Sequence, residues 1–165
     1  MEHNTAQAYR HILFEISDRI ACVTMNRPDK RNALSVEHMQ ELTDCFSSIG
    51  ENRDAAIVIL KANGPAFCAG HDLKEIRALG EQPRIEALFT KCSRMMQAIA
   101  ELPQPVIARV HGAAAAAGCQ LVAQCDLAVA SQAAKFTTPG VSWGFFCSTP
   151  GVALGRNLLR KHAME

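Results

Sequence analysis

Hydrophobic and polar residues alternate along this chain with the two periods expected of a mixed α/β protein. Alternating segments at 11–16 and 19–25, separated by a Ser-Asp turn, predict a pair of strands. Ser35 is a suitable N-cap for a helix with apolar residues at helical spacing. A buried strand is predicted at 56–62, and a long helix carries the apolar positions between 85 and 99.

Two later stretches each join a predicted strand to a turn of small residues. Pro105–Asp126 passes from an apolar run into five alanines and then Gly-Cys-Gln, where a helix is expected to begin. Phe67–Leu73, which reads Phe-Cys-Ala-Gly-His-Asp-Leu, makes a similar turn after the strand at 56–62. Small residues let a ligand approach the backbone, and a helix start leaves N–H groups unpaired. Two such turns predict an oxyanion hole.

The remaining pattern adds short strands at 127–130 and 135–137 and a helix from 152 to 165. Strand-strand-helix units of this kind indicate an α/β fold. The last helix reaches the end of the chain without a cap, a glycine or a proline. We also expect the apolar positions Ile85, Phe89, Met96 and Ile99, and the end near Leu158, to need covering by further helices or subunits.

The motifs at these turns resemble the enoyl-CoA hydratase/isomerase (crotonase) superfamily, and the ordered blocks run from about Arg19 to Gly155. The resemblance implies a crotonase-like ββα spiral forming one acyl-CoA-binding core over residues 1–165. Family members continue for about a hundred further residues, mostly helical, the size of a small domain. That part closes the acyl pocket and builds the trimer. We therefore expect the C-terminal helical trimerisation region to be missing here, and the full-length protein to be a homotrimer or hexamer. The matching motifs are Arg27-Pro28 with Asn32-Ala33-Leu34, Phe67-x-Ala69-Gly70-x-Asp72-Leu73, Pro105-Val-Ile-Ala-x-Val-x-Gly112, and Cys125-Asp126.

By the same resemblance, the backbone N–H groups of His71 and Ala117 correspond to the oxyanion hole. Such donors lie about 3 Å from the thioester oxygen as it gains negative charge. The family commonly has glycine where this chain has Ala117, but a backbone donor tolerates that change.

The chain departs from the family at the two positions where hydratases carry glutamates. Gln120 and Gly140 stand there. Hydration needs one group to activate water and another to protonate the α-carbon. Neither residue exchanges protons at neutral pH, so efficient hydration is not expected. Thr138, Cys147, Ser148 and Thr149 lie on segments that the family brings near the acyl group, but none has an evident base partner in the sequence, which favours structural roles.

The resemblance also implies a binding site for coenzyme A, which would enter as part of the substrate, an acyl-CoA thioester; no covalently bound cofactor is expected. Arg27, Lys30 and Arg31 form a basic turn, whose side chains can pair phosphates through charge-assisted hydrogen bonds. Without the resemblance, the same residues would be interpreted as a solvated charged turn. Asp72 is expected mainly to support its loop, as is Asp126. The predicted coenzyme A residues are Arg27, Lys30, Arg31, Ala33, Ala69, Gly70, Asp72 and Lys74.

Composition limits the remaining possibilities. A net charge of +1 gives no long-range attraction for nucleic acid or an anionic membrane, and no apolar run suits a membrane span. The seven scattered cysteines favour a reducing compartment, and Cys68 and His71 find no second pair for a metal site. The expected location is the cytoplasm, or alternatively the mitochondrial matrix.

Three functions remain open from the sequence. The first is an acyl-CoA enzyme of lipid metabolism that stabilises a thioester enolate without efficient hydration. The second is a non-catalytic acyl-CoA-binding or regulatory family member. The third is an inactive truncated form.

Overall fold

The computed structural model describes residues 9–144 and 146–164. Within this part the chain forms eight strands and six helices. The strands are β1 (Ile12–Ser17), β2 (Ile20–Met25), β3 (Ile57–Ala62), β4 (Ala66–Cys68), β5 (Val106–Val110), β6 (Ala113–Ala115), β7 (Leu127–Ala130) and β8 (Lys135–Thr137). The helices are α1 (Val36–Glu51), α2 (Leu73–Leu79), α3 (Gln82–Ala100), α4 (Ala117–Gln124), α5 (Ser148–Asn157) and α6 (Arg160–Met164).

The strands form two sheets. The five-stranded sheet has the order β1-β2-β3-β5-β7, and the three-stranded sheet has the order β4-β6-β8. Strands β1 and β2 are antiparallel and are joined by a tight turn, as the sequence predicted. All other pairs are parallel. Parallel neighbours need a crossover connection, and the helices provide it.

The chain advances as a spiral. Each turn adds one strand to the large sheet, the next strand to the small sheet, and then helical structure. The pairs β3–β4, β5–β6 and β7–β8 are successive turns of this spiral. This arrangement confirms the predicted crotonase-like ββα fold. Strands β4 and β6 and helix α2 were not predicted, because elements of three to seven residues carry too little periodic signal.

The core lies between the large sheet and helices α1 and α3. Alternate residues of β2 and β5 face it, including Val23, Met25 and Ala108. The Ser35 hydroxyl accepts a hydrogen bond from the His38 N–H at 3.1 Å, which confirms the predicted N-cap of α1. Methionines 95 and 96 are buried core residues.

The apolar face of α3 differs from the expectation that other helices or subunits must cover it. Met96 and Ile99 are buried within the chain itself, where α3 packs on α1, and Phe89 is 39% exposed. Other large hydrophobic residues are exposed elsewhere in the described part of the chain. They include Leu127 and Val129 on β7, Phe136 on β8, and Leu159 beyond α5.

The C-terminal helical region begins earlier than predicted and is broken. Helix α5 starts at Ser148, and Leu158 adopts an extended conformation before α6 begins at Arg160. Glu165 lies outside the described residues. No helix in the described part of the chain is both long enough and apolar enough to cross a membrane.

Candidate functional site

The two small-residue turns singled out in the sequence lie in direct contact. Gly70 has a φ of 90°, a conformation that L side chains rarely adopt. A Cβ at position 70 would lie 3.0 Å from the Ala115 carbonyl oxygen and 3.5 Å from the Ala117 nitrogen. Glycine at this position therefore lets the turn after β4 rest against the start of α4.

Gly118, on α4, allows the same two segments to approach each other closely. A Cβ on Gly118 would lie 2.3 Å from the Cys68 carbonyl oxygen, a distance at which the backbone would have to move. Helix α4 can therefore approach β4 this closely only because residue 118 has no side chain.

The backbone around His71 is held on one side by Leu34. The Leu34 N–H donates to the Gly70 carbonyl at 2.8 Å, and the Asp72 N–H donates to the Leu34 carbonyl at 3.0 Å. Successive N–H groups of an extended segment point in opposite directions, so the His71 N–H points away from Leu34. Within the described part of the chain, no hydrogen bond from the His71 N–H is found.

Ala117 is the first residue of α4, as predicted, so its N–H is among those that a helix leaves unpaired at its start. The preceding residue, Ala116, has a φ of 49° and a ψ of −119°, a combination that is sterically costly for any residue with a Cβ. Its own N–H donates to the Thr137 carbonyl at 2.8 Å, which ties the turn to β8.

The His71 side chain packs against Phe89 of α3, with ring centroids 5.1 Å apart in an edge-to-face arrangement. Its Nε2 atom is buried and has no hydrogen-bond partner among the described residues. Burial lowers the pKa of His71 from 6.5 to about 4, so the imidazole is neutral at physiological pH. Phe89 was assigned to a helix face from the sequence, but periodicity could not show that it meets this turn.

Gln120 lies one helical turn after Ala117 and is 8% exposed. Its Oε1 has no hydrogen-bond partner within the described part of the chain. The residue lines a cleft of about 220 Å³ with Thr149 and Arg156.

Gly140 lies in a 3-10 turn, Pro139–Trp143, and its N–H donates to the Cys147 Sγ at 3.2 Å. Thr138 precedes this turn, whereas Ser148 and Thr149 begin α5. Of these four hydroxyl and thiol residues, only Thr149 lines the 220 Å³ cleft.

A larger cleft, of about 620 Å³, lies beside the first turn. It brings together most of the residues predicted to bind coenzyme A. Arg31, Ala69 and Gly70 do not line it, although the Ala69 N–H donates to the Arg31 carbonyl at 3.0 Å. The predicted coenzyme A residues that line the cleft are Arg27, Lys30, Ala33, Asp72 and Lys74, and His71, predicted as an oxyanion donor, lines it too.

Arg27 is engaged inside the protein rather than offered to the cleft. Its side chain is 14% exposed, donates to the Ala33 carbonyl and forms an ion pair with Asp72 at 3.4 Å. Asp72 also caps α2 by accepting a hydrogen bond from the Glu75 N–H, which agrees with its predicted loop-supporting role. The guanidinium therefore holds the basic turn against α2.

Among the other charged side chains that line this cleft, the glutamates have hydrogen-bond or ion-pair partners and the two lysines have no ion pair in the described part of the chain. Glu37 contacts His11 at 2.8 Å and Arg10 at 3.7 Å, and Glu75 accepts a hydrogen bond from the Val36 N–H at 2.9 Å. Lys30 and Lys74 are exposed, and neither forms an ion pair with any residue in the described ranges. These two ammonium groups are the cations available to an anionic ligand.

Asn32 has a positioning role that the sequence motif did not reveal. It is fully buried with a φ of 53°, and its amide nitrogen donates to the carbonyls of Asn63 and Ala66 at 2.8 and 2.9 Å. Its Oδ1 accepts from the Arg27 N–H at 2.8 Å. The side chain thereby joins the basic turn to the loop between β3 and β4.

Two other polar residues of the motifs have structural roles. The Asp126 carboxylate accepts a hydrogen bond from the Val106 N–H at 2.7 Å, as expected of a structural residue. The Cys68 thiol donates to the Asn32 carbonyl at 3.2 Å, and burial raises its pKa to about 12. No group of three or more possible metal ligands occurs within residues 9–144 and 146–164.

We compared the sequence and the fold with those of known proteins. The sequence profile of the enoyl-CoA hydratase/isomerase family matches residues 15–165, nearly the whole chain. The chain belongs to this family. Among its relatives is the human protein called enoyl-CoA hydratase domain-containing protein 3, mitochondrial, which is 47% identical over 148 residues. The zebrafish (Danio rerio) protein of the same name is 46% identical over 153 residues.

Solved structures of the enoyl-CoA hydratase/isomerase family share this fold. An enoyl-CoA hydratase from Mycobacterium smegmatis superposes with a TM-score of 0.90 at 51% identity, and human enoyl-CoA hydratase domain-containing protein 3 with a TM-score of 0.88 at 44% identity. Each comparison covers 94% of this chain but 61% of the solved chain. The zebrafish and human relatives are covered over 53% and 49% of their length, against 93% and 90% of this chain. This chain therefore spans about half the length of the curated relatives it matches.

Proposed function

We propose that this family member binds acyl-CoA thioesters and holds the thioester oxygen with the N–H groups of His71 and Ala117. The observation that carries the proposal is the contact between the two turns, with Gly70 against Ala117. The Leu34 pairing directs the His71 N–H away from its own loop, and the start of α4 leaves the Ala117 N–H free of an intrahelical partner. Two backbone donors of this kind stabilise an oxygen that gains negative charge.

The coenzyme A portion would occupy the 620 Å³ cleft beside the first turn. Lys30 and Lys74 line this cleft without ion-pair partners in the described part of the chain, so both can contact phosphate oxygens. Arg27 would act indirectly, by holding the basic turn against Asp72. His71, the residue whose N–H is proposed to meet the thioester, also lines this cleft.

The chemistry supported by this arrangement is stabilisation of an enolate at the thioester. Loss of one such donor in other enzymes typically costs about 10²–10³ in rate. Hydration of a double bond would also need an acid and a base, and neither Gln120 nor Gly140 transfers protons at neutral pH. His71 is neutral, and its imidazole packs on Phe89. We therefore propose acyl-CoA binding with inefficient hydration.

A non-catalytic binding or regulatory role is the second candidate function. The presence of Gln120 and Gly140, which cannot transfer protons at neutral pH, favours it. Binding depends on backbone donors and lysines, which are present, whereas turnover depends on proton transfer groups. Incubation with a panel of acyl-CoA thioesters, followed by product analysis, separates the two roles: an enzyme releases a changed thioester, and a binding protein returns it unchanged.

The direct test is to measure binding of acetyl-CoA by calorimetry and hydration of crotonyl-CoA by loss of the conjugated thioester absorbance. We expect binding, with hydration slow or undetectable. The double variant Gln120→Glu with Gly140→Glu should raise the hydration rate if the site geometry accepts the new carboxylates. Absence of acetyl-CoA binding would overturn the proposal, and turnover typical of hydratases in the unchanged chain would overturn the role given to these two residues.

The names of the human and zebrafish relatives assign those proteins to mitochondria. We propose the same compartment here, in preference to the cytoplasm. We also propose that the full-length protein is a trimer or a dimer of trimers. The exposed apolar residues Leu127, Val129 and Phe136 at the sheet edges support association, because surfaces of this kind usually mark contact sites.

A further inference from the structure

A second cleft, of about 220 Å³, lies between helices α3, α4 and α5. Its walls are held in place by Asn157 of α5, whose amide nitrogen donates to the Ala123 carbonyl at 2.8 Å and the Ala153 carbonyl at 2.9 Å. The bond to Ala123 ties α5 to α4, and the bond to Ala153 lies within α5. The cleft is therefore a built feature of the helix packing.

The lining of this cleft combines apolar groups, from Val152 and Ala153, with polar ones, and contains one charge. Ser93, Gln120 and Thr149 contribute neutral polar groups, and Arg156 is the only ionisable residue among those that line it. Arg156 forms no ion pair with any residue of the described ranges. An unpaired guanidinium in a cleft without carboxylates favours an anionic ligand, which it can hold through two parallel hydrogen bonds.

Gln120 contributes an unpaired polar group to this cleft. Its side chain is more than nine-tenths buried, and its Oε1 has no partner in the described part of the chain. A buried polar group without a partner is unfavourable, so a ligand that bonded to the Gln120 amide would gain affinity. Rotating the amide by 180° would turn its N–H₂ group toward the same point, where a ligand oxygen could accept.

The position of the cleft relates it to the proposed thioester site. Gln120 follows Ala117 by three residues on α4, so the two lie on one helix face with Cβ atoms about 5–6 Å apart. An acyl group whose carbonyl oxygen met the Ala117 N–H could extend along this face into the cleft. The cleft volume equals that of about seven water molecules, which suits a short acyl group.

We infer that this cleft receives a short acyl group ending in a carboxylate, which Arg156 and the Gln120 amide bind. This inference rests on the proposed acyl-CoA function and names its substrate class. The ligand would be the CoA thioester of a dicarboxylic acid, with the thioester at Ala117 and the free carboxylate at Arg156.

Glutaryl-CoA and pentanoyl-CoA test this inference, because their acyl chains have the same number of carbons and differ at the terminal carboxylate. Calorimetry on the 165-residue chain should give glutaryl-CoA about fivefold tighter binding, a preference that weakens as salt increases. Arg156→Gln should abolish the preference, and Arg156→Lys should keep part of it. Arg109→Gln, an exposed arginine on β5 outside both clefts, is the matched control and should leave it unchanged.

The outcomes separate this inference from the proposed function. If neither thioester binds, the proposed function itself fails. If both bind but pentanoyl-CoA binds as tightly as glutaryl-CoA, the proposed function stands and the dicarboxylic substrate class is overturned. If the Arg156→Gln variant still prefers glutaryl-CoA over pentanoyl-CoA, Arg156 does not bind the carboxylate and the inference is overturned. Gln120→Leu supplies a second check. It should weaken the binding of glutaryl-CoA and leave the binding of pentanoyl-CoA unchanged or tighter.

Discussion

Gly118 of helix α4 lies so close to Cys68 of strand β4 that a Cβ on residue 118 would be 2.3 Å from the Cys68 carbonyl oxygen. This contact fixes the distance between the small sheet and the helix that begins at Ala117. The two proposed oxyanion donors lie close to it in the sequence, since His71 follows Cys68 by three residues and Ala117 immediately precedes Gly118. The geometry of the candidate site therefore depends on residue 118 having no side chain.

Replacing Gly118 with alanine should destabilise the protein, because the new methyl group meets backbone atoms that cannot rotate away. Overpacking of this kind typically costs about 1–3 kcal/mol, and more where backbone must shift. Urea denaturation measures the free energy of unfolding. Gly155→Ala is the control, because nothing lies within 4 Å of a Cβ at that position in α5. It should be neutral or stabilising by up to about 1 kcal/mol, the helix propensity gain. Equal effects of the two substitutions would contradict the packing described.

Ala116→Gly should stabilise the protein, although glycine usually weakens a structure. Ala116 has a positive φ with a ψ of −119°, and relief of that strain is worth about 1–3 kcal/mol against about 0.5–1 kcal/mol for the added chain entropy. The expected net gain in unfolding free energy is about 1 kcal/mol. Ala115→Gly, one residue earlier in β6, has no such strain to relieve and should destabilise. A loss of stability in Ala116→Gly would show that the turn gains nothing from glycine.

Stability should fall between pH 6.5 and pH 4 because of two buried histidines. Burial lowers the pKa of both His38 and His71 from 6.5 to about 4, so the folded protein holds them neutral where the unfolded chain protonates them. The unfolded state then binds more protons, and the free energy of unfolding falls as pH decreases through this window. Each histidine contributes at most about 1.4 kcal/mol per pH unit.

The variants His38→Gln and His71→Phe should each flatten this pH dependence of the unfolding free energy. His162→Gln, at an exposed position in α6, should leave the slope unchanged. Urea denaturation at several pH values measures how the free energy of unfolding depends on pH. A slope that persists in the double variant of His38 and His71 would show that other groups bind the protons.

Lys30→Gln and Lys74→Gln should each weaken acetyl-CoA binding several-fold while leaving the unfolding free energy within about 0.5 kcal/mol, as for most surface substitutions. Both lysines lack ion-pair partners in the described part of the chain, so removing them breaks no internal contact.

Arg27→Gln provides the contrast, since it removes the ion pair with Asp72 and the bond to Ala33 and should destabilise by about 1–3 kcal/mol. Calorimetry and urea denaturation on the three variants separate the two roles. Unchanged affinity in both lysine variants would exclude this cleft as the phosphate site.

The longer elements were predictable because their signals are local. Ser35 caps α1 as its position before an amphipathic segment indicated, and Ala117 begins α4 where the small-residue turn ends. The same reasoning could not reveal that Arg27 is engaged by Asp72, 45 residues away, because composition gives a charge but not its partner. Likewise, helical periodicity defined the apolar face of α3, yet only the structure shows that Met96 and Ile99 are buried within the chain while Phe89 contacts His71.

The most direct test of the central claim is a two-dimensional nitrogen–proton NMR titration that follows the backbone amides of His71 and Ala117. Acetyl-CoA and free coenzyme A are the two ligands, since both carry the nucleotide and only the former has a thioester carbonyl. The account predicts that acetyl-CoA moves both amide proton signals downfield, as new hydrogen bonds form, whereas coenzyme A leaves these two signals largely in place. Saturable binding of acetyl-CoA without a shift at either amide would contradict it.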